Sequence, residues 1–186
     1  MIQGDILMDK ISVLISQEEI ELRICEMADR INRTYEGKTV HLIGILKGSV
    51  FFICELAKHL TVPVTMDFMS VSSYENATTS SGRVRIVMDL SDTIQGKNVI
   101  LVEDIIDSGN TLSYLLPILE SRGPASIELV TLLNKPDRRE QEVAVNDTGF
   151  VIPDAFVVGY GLDYAQKYRN LPYIGVVEIE KGENDE

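Results

Sequence analysis

The chain is 186 residues long, 45% hydrophobic and 25% charged, which suits one globular domain around one well-buried core. Its formal charge of −12 argues against nucleic acid as the main partner, which would require a basic face, so no nucleic acid is expected. No stretch resembles a signal peptide or a membrane span of about 20 apolar residues, so the expectation is a cytoplasmic protein without membrane contact.

Val13-Leu14-Ile15, in the N-terminal lead, is a candidate edge strand. Ser16-Gln17-Glu18-Glu19 fits a capping box, with Ser16 as N-cap and Glu19 reaching back to it. Ile20, Ile24, Met27, Ala28 and Ile31 recur at helical spacing, and Gly37 ends that helix. Cys25 and Cys54 each fall inside an apolar helical pattern and read as core fillers, not as a bridge, ligand or nucleophile. Val40–Leu46 is a strand buried on both faces, and Lys47-Gly48-Ser49 turns from it into an apolar helix over Val50–Leu60. Strand, glycine turn and helix start make an anion site with a cation beside it; in isolation, a plain turn with one exposed lysine is the stronger alternative. Val64–Val71 predicts a third strand, and the alternation of Arg83–Met88 a half-exposed fourth. The small polar residues of Ser72–Gly82 bury too little to hold a fixed shape, which predicts a mobile hairpin arm, either a passive loop or a lid.

Gly96-Lys97 turns into Val99-Ile100-Leu101-Val102, the clearest buried strand of the chain. It runs into Glu103 and Asp104, then Asp107, then Ser108-Gly109-Asn110-Thr111, which leads to a helical pattern over Leu112–Arg122. Acids beside an anion site make sense for a sugar phosphate. Carboxylates accept hydrogen bonds from a vicinal diol, while the amides of Asp107–Thr111 hold the phosphate. The string therefore points to ribose 5-phosphate; the alternative is a pair of solvated acids with Ser108 or Thr111 as a cap. Ile127–Leu133 is the next buried strand and closes a right-handed βαβ unit, so the fold class is α/β, a mainly parallel sheet flanked by helices. Lys135 stands at its carboxyl end, where open α/β sheets place ligand groups, or is a solvated surface charge. Asp137–Asp147 is charged and reads as exposed; Phe150–Pro153 leads to an apolar run from Phe156 to Tyr164, followed by Arg169. Leu171–Ile179 supplies a last strand, and Glu180–Glu186 an acidic tail expected to be disordered.

Glu103-Asp104-Ile105-Ile106-Asp107-Ser108-Gly109-Asn110-Thr111 resembles the phosphoribosyl pyrophosphate signature of type I phosphoribosyltransferases, in the form found in the hypoxanthine (hypoxanthine-guanine) phosphoribosyltransferases. The resemblance covers Val40 to Tyr173 in order; Asn110 departs from relatives with a longer side chain there. It implies one domain over 1–186, with a Rossmann-like core of about 13–150, a small C-terminal hood of about 151–180 joined by the N-terminal lead, a tail at 180–186 and a flexible β-arm lid. The implied reaction moves ribose 5-phosphate from phosphoribosyl pyrophosphate to N9 of a 6-oxopurine base, hypoxanthine or guanine.

By the same resemblance Glu103, Asp104, Asp107, Ser108, Gly109, Asn110 and Thr111 hold the phosphoribosyl group. Lys47, Gly48 and Arg169 face pyrophosphate, with a cis peptide between Leu46 and Lys47, and Ser73 and Tyr74 belong to the lid. Lys135 donates to the purine 6-oxo group, Phe156 stacks on the ring, and Val157 and Asp163 complete the purine site. Mg²⁺ is the implied metal, held near Glu103, Asp104 and Asp163, partly through water. Asp107 is the candidate acceptor of the N7 proton, and a homodimer or homotetramer is implied. Two other readings stay open: a non-catalytic regulator that binds the same sugar phosphate as an effector, and a flavodoxin-like receiver domain. The receiver would lack Lys135 and the Phe156–Asp163 hood.

Overall fold

The structure, a computed structural model, describes residues 10–73 and 84–178. The tip of the predicted arm, with Tyr74, and the acidic tail lie outside the described residues. At the centre are strands β2 (Val40–Leu46) and β5 (Asn98–Ile106), paired in parallel. Strand β3 (Val64–Ser73) runs parallel to β2 on one side, and β4 (Val84–Met88) closes that edge antiparallel. Beyond β5 lie β6 (Ser126–Asn134) and β7 (Asp147–Val151), both parallel, which gives the order β4-β3-β2-β5-β6-β7.

Side chains alternate across a strand, so a strand covered on both faces must be apolar without a break. Leu42 of β2 and Ile100 and Val102 of β5 pack with Ile20, Ile24, Met27 and Ile31 of helix α1 (Gln17–Thr34) and Phe52 and Leu56 of α2 (Val50–His59). Their neighbours Ile43 and Leu101 point the other way, against Leu112, Leu115 and Leu119 of α3 (Asn110–Ser121). The capping box of α1 is complete: Ser16 Oγ accepts from the Glu19 N–H at 3.2 Å, and Glu19 Oε2 from the Ser16 N–H at 2.8 Å. Such a cap stabilises a helix by about 1 kcal/mol.

A second, three-stranded sheet stands apart from the first. Strand β1 (Lys10–Ile15) pairs antiparallel with β9 (Ile174–Glu178), which also pairs with β8 (Val157–Val158).

Two expectations need correction. Cys54 is exposed and Cys25 only half-buried, its Sγ 3.6 Å from His59 Nδ1. Phe52, Ile53 and Leu56 set the buried face of α2, and position 54 falls outside that stripe. The stretch around Phe150 forms β7 in the main sheet. The charged segment is not exposed throughout: Asp147, its side chain 10% exposed, receives Arg23 at 2.7 Å and Arg30 at 2.8 Å from α1.

Candidate functional site

Parallel strands deliver their carboxyl ends to one edge, where β2 leads to Lys47, β5 to Asp107 and β6 to Lys135. Glu103 is buried in β5, and its Oε2 is enclosed without a hydrogen-bond partner. Burial, and then the neighbouring Asp104 charge, push the Glu103 carboxyl well above the usual range. Burial also raises Asp104, to about 6, although backbone N–H donors and the Arg169 charge pull it down. Asp104 Oδ1 accepts from the Ile105 N–H at 2.9 Å. This acid pair is short of positive charge and of donors, which is the state a diol or a cation would relieve.

The turn after β2 presses on that pair. The Leu46–Lys47 peptide is cis, as the resemblance implies. A Cβ on Gly48 would lie 1.4 Å from Asp104 Oδ2, so only glycine admits this approach. Behind the acids, Gly109 stands at the start of α3 at φ +84° and offers no side-chain cap of its own. Ser108 Oγ accepts from the Asn110 N–H at 3.3 Å, and the Asn110 amide donates to Glu140 at 2.8 Å. Glu103, Asp107, Ser108, Gly109 and Thr111 line a cavity of about 100 Å³ at this helix start.

Lys135 is held by its backbone N–H on the Ile106 carbonyl at 2.9 Å. Its side chain is 7% exposed and, among the described residues, makes no hydrogen bond or ion pair. Phe156 is 47% exposed, with Tyr164 packed edge-on at 5.4 Å, and Val157 is buried in β8. Arg169 donates to the Gly161 carbonyl at 2.6 Å and pairs with Asp163 Oδ1 at 2.6 Å. Asp163 Oδ2 accepts from the Gln166 N–H at 2.7 Å, and Gln166 Oε1 receives Lys47 Nζ at 3.3 Å. At Gly161, φ +102°, a Cβ would lie 1.9 Å from the Gly48 carbonyl oxygen. The small sheet's loop is thus seated on the turn after β2, and Lys47, Gly48, Asp104, Asp163 and Arg169 are brought together. Ser73 closes β3 at the same sheet edge; Tyr74 lies outside the described residues.

Sequence reasoning missed two arginines and an acid. Asp107 Oδ1 lies 3.3 Å from Arg138 Nε, and the same guanidinium reaches Asp154 Oδ2 at 3.5 Å. Arg139 donates to the Asp107 carbonyl at 3.3 Å and to the Asn134 side-chain oxygen. Their signal was the Arg138-Arg139 pair directly after Lys135-Pro136, inside a segment read only as exposed. Among the described residues no group of three or more His, Cys, Asp or Glu side chains is placed to hold a metal. Glu103 and Asp104 form an oxygen pair, and Mg²⁺ binds through one or two carboxylates plus substrate phosphates. The orphaned Glu103 Oε2 fits that demand.

The phosphoribosyl transferase domain model matches residues 13–165. The hypoxanthine-guanine phosphoribosyltransferase of Bacillus subtilis is 49% identical over 166 residues, 89% of this chain and 92% of that protein. The bifunctional protein TilS/HprT of Listeria monocytogenes is 49% identical over 168 residues, and the chain spans 26% of that longer relative's length. The crystal structure of a hypoxanthine phosphoribosyltransferase from Staphylococcus aureus superposes with a TM-score of 0.89 at 42% identity, covering 99% of this chain and 100% of that one.

Proposed function

This chain belongs to the phosphoribosyl transferase domain family, and from that premise we propose that it is a purine-salvage transferase. It moves ribose 5-phosphate from phosphoribosyl pyrophosphate to N9 of hypoxanthine, giving IMP and pyrophosphate, with guanine as a further base. The observation that carries this reading is the enclosed, unpartnered Glu103 Oε2 beside Asp104, at the lip of the cavity under the Ser108–Thr111 turn.

Breaking the bond from C1′ to pyrophosphate leaves positive charge on the ribose ring and negative charge on the departing group. Glu103 and Asp104 accept hydrogen bonds from the ribose hydroxyls, and the Ser108–Thr111 turn holds the 5′-phosphate at the start of α3. Lys47, the turn at Gly48 and Arg169 offset the charge of the leaving pyrophosphate, with Arg169 oriented by Asp163. Glu103 and Asp104, with Asp163 nearby, would hold a magnesium ion brought in with the donor, which would supply further neutralisation of the pyrophosphate. Phe156 offers its open face to the purine and Val157 borders it. The unpaired Lys135 ammonium donates to the 6-oxo group, so the 6-amino group of adenine meets it donor to donor. Asp107 accepts the N7 proton as the N9 lone pair forms the new bond to C1′.

Among the described residues no helix is long and apolar enough to cross a membrane, and we place the enzyme in the cytoplasm as a homodimer or homotetramer, which light scattering tests. The decisive assay is pyrophosphate release from phosphoribosyl pyrophosphate and Mg²⁺ with hypoxanthine, guanine, xanthine or adenine. Turnover with hypoxanthine and guanine and little with adenine is expected. Binding of phosphoribosyl pyrophosphate without release for any base would establish a regulator instead.

A further inference from the structure

Asp107 is the residue on which proton transfer depends, and its own environment is sparse. Oδ1 is enclosed and, among the described residues, has no hydrogen bond of good geometry and one cation on it, Arg138, with Nε at 3.3 Å. Oδ2 has no partner among the described residues. The far end of the Arg138 guanidinium lies 3.5 Å from Asp154, two residues before Phe156. The next residue, Arg139, fixes the backbone of the same acid by donating to the Asp107 carbonyl at 3.3 Å. Arg138 ends the 3-10 turn Pro136–Arg138, which follows Lys135 directly, and Arg139 caps it.

A guanidinium is a planar fork that fixes the plane of a carboxylate it touches. With Oδ1 turned to Arg138, Oδ2 is left as the acceptor for an incoming N–H. With Asp154 on the other limb, that plane is set relative to the segment that carries the stacking ring. We propose that Arg138 is a positioning residue for the transfer reaction: it orients the Asp107 carboxylate toward N7 of the bound purine and ties that orientation to the purine-stacking segment through Asp154. The proposal rests on the reading of Asp107 as the N7 proton acceptor.

The test is a kinetic cycle of Arg138→Ala and Asp107→Asn, measuring kcat and both KM values. Arg138 is 55% exposed at its side chain, so Arg138→Ala should fold, with a Tm within about 2 °C of the parent. A misdirected acceptor lowers kcat by about 10–100-fold while KM for phosphoribosyl pyrophosphate stays within about twofold. In the Asp107→Asn background the same Arg138→Ala change should lower kcat by less than about twofold, because the group it orients is gone. An unchanged or faster Arg138→Ala enzyme, or an equal loss in both backgrounds, overturns the positioning role alone. A loss under about tenfold for Asp107→Asn by itself overturns the proton-acceptor reading and takes the positioning role with it.

Discussion

Gly48→Ala is a one-carbon change aimed at the contact between the turn after β2 and the acid pair. The new Cβ would sit 1.4 Å from Asp104 Oδ2 and 2.4 Å from its Cγ, where ordinary contact begins at 3.4 Å. The carboxylate must therefore retreat by about 2 Å, more than a neighbour in a packed site gives without a new rotamer. That rotamer abandons the 2.9 Å bond from the Ile105 N–H. Overpacking of this kind costs about 1–3 kcal/mol, which lowers Tm by about 2–12 °C in a chain of this size. The displaced acid also loses its proposed bond to the ribose hydroxyl, a charged hydrogen bond worth about 1.5–3 kcal/mol, so affinity for phosphoribosyl pyrophosphate should fall about 10–150-fold. Differential scanning fluorimetry and isothermal titration calorimetry read the two quantities. The decisive comparison repeats Gly48→Ala in an Asp104→Ala background, where the obstacle is removed and the stability loss should shrink to about 0.5 kcal/mol or less. An alanine at 48 that leaves Tm and donor affinity untouched, or that destabilises both backgrounds alike, would refute the reasoning.

Three further outcomes follow from the same geometry. Burial pushes Asp104 up to about 6, and in the proposed diol role it must be ionised, so donor affinity should fall about tenfold per pH unit below that value. The free fold has the opposite sign: a carboxyl raised from 3.8 to about 6 makes the unliganded protein less stable as pH rises between those values, so the donor's thermal shift should be larger at about pH 7.5 than at about pH 5.5, and equal shifts would contradict the assignment. Asp107→Asn should lower kcat by about 10²–10⁴ in steady-state assays. Burial holds the His41 pKa below 6.5, so its contribution is whole above 6.5 and is lost as pH falls below it; His41→Gln should flatten the acid-side decline in Tm, and an unaltered decline would assign it elsewhere.

The parts legible in the sequence are those in which neighbours along the chain are neighbours in space. The unbroken apolar runs of β2 and β5 declare strands covered on both faces, and Ser16 with Glu19 declares a helix start. The string from Glu103 to Thr111 was readable for the same reason, since strand end, acids and helix start occupy one continuous stretch. What escaped depends on partners far along the chain. Asp147 looked solvated because its arginine, Arg23, is 124 residues away. Arg138 looked like one charge among many until the fold set it against Asp107 and Asp154. Cys54 was misplaced because α2 is apolar beyond its buried stripe: Phe51, on the same helix, is 41% exposed.

The pairing of Lys10 with Glu178 joins nearly opposite ends of the described chain in one small sheet. Closing so long a loop carries a large entropy penalty that local contacts do not meet, so this sheet should assemble after the six-stranded layer is already in place. Amide hydrogens at 157–158 and 174–178 should then exchange with solvent ahead of those in β2 and β5. The side of the base site that carries the stacking ring would then sit on the later-formed unit, free to open and reclose over a scaffold that stays intact.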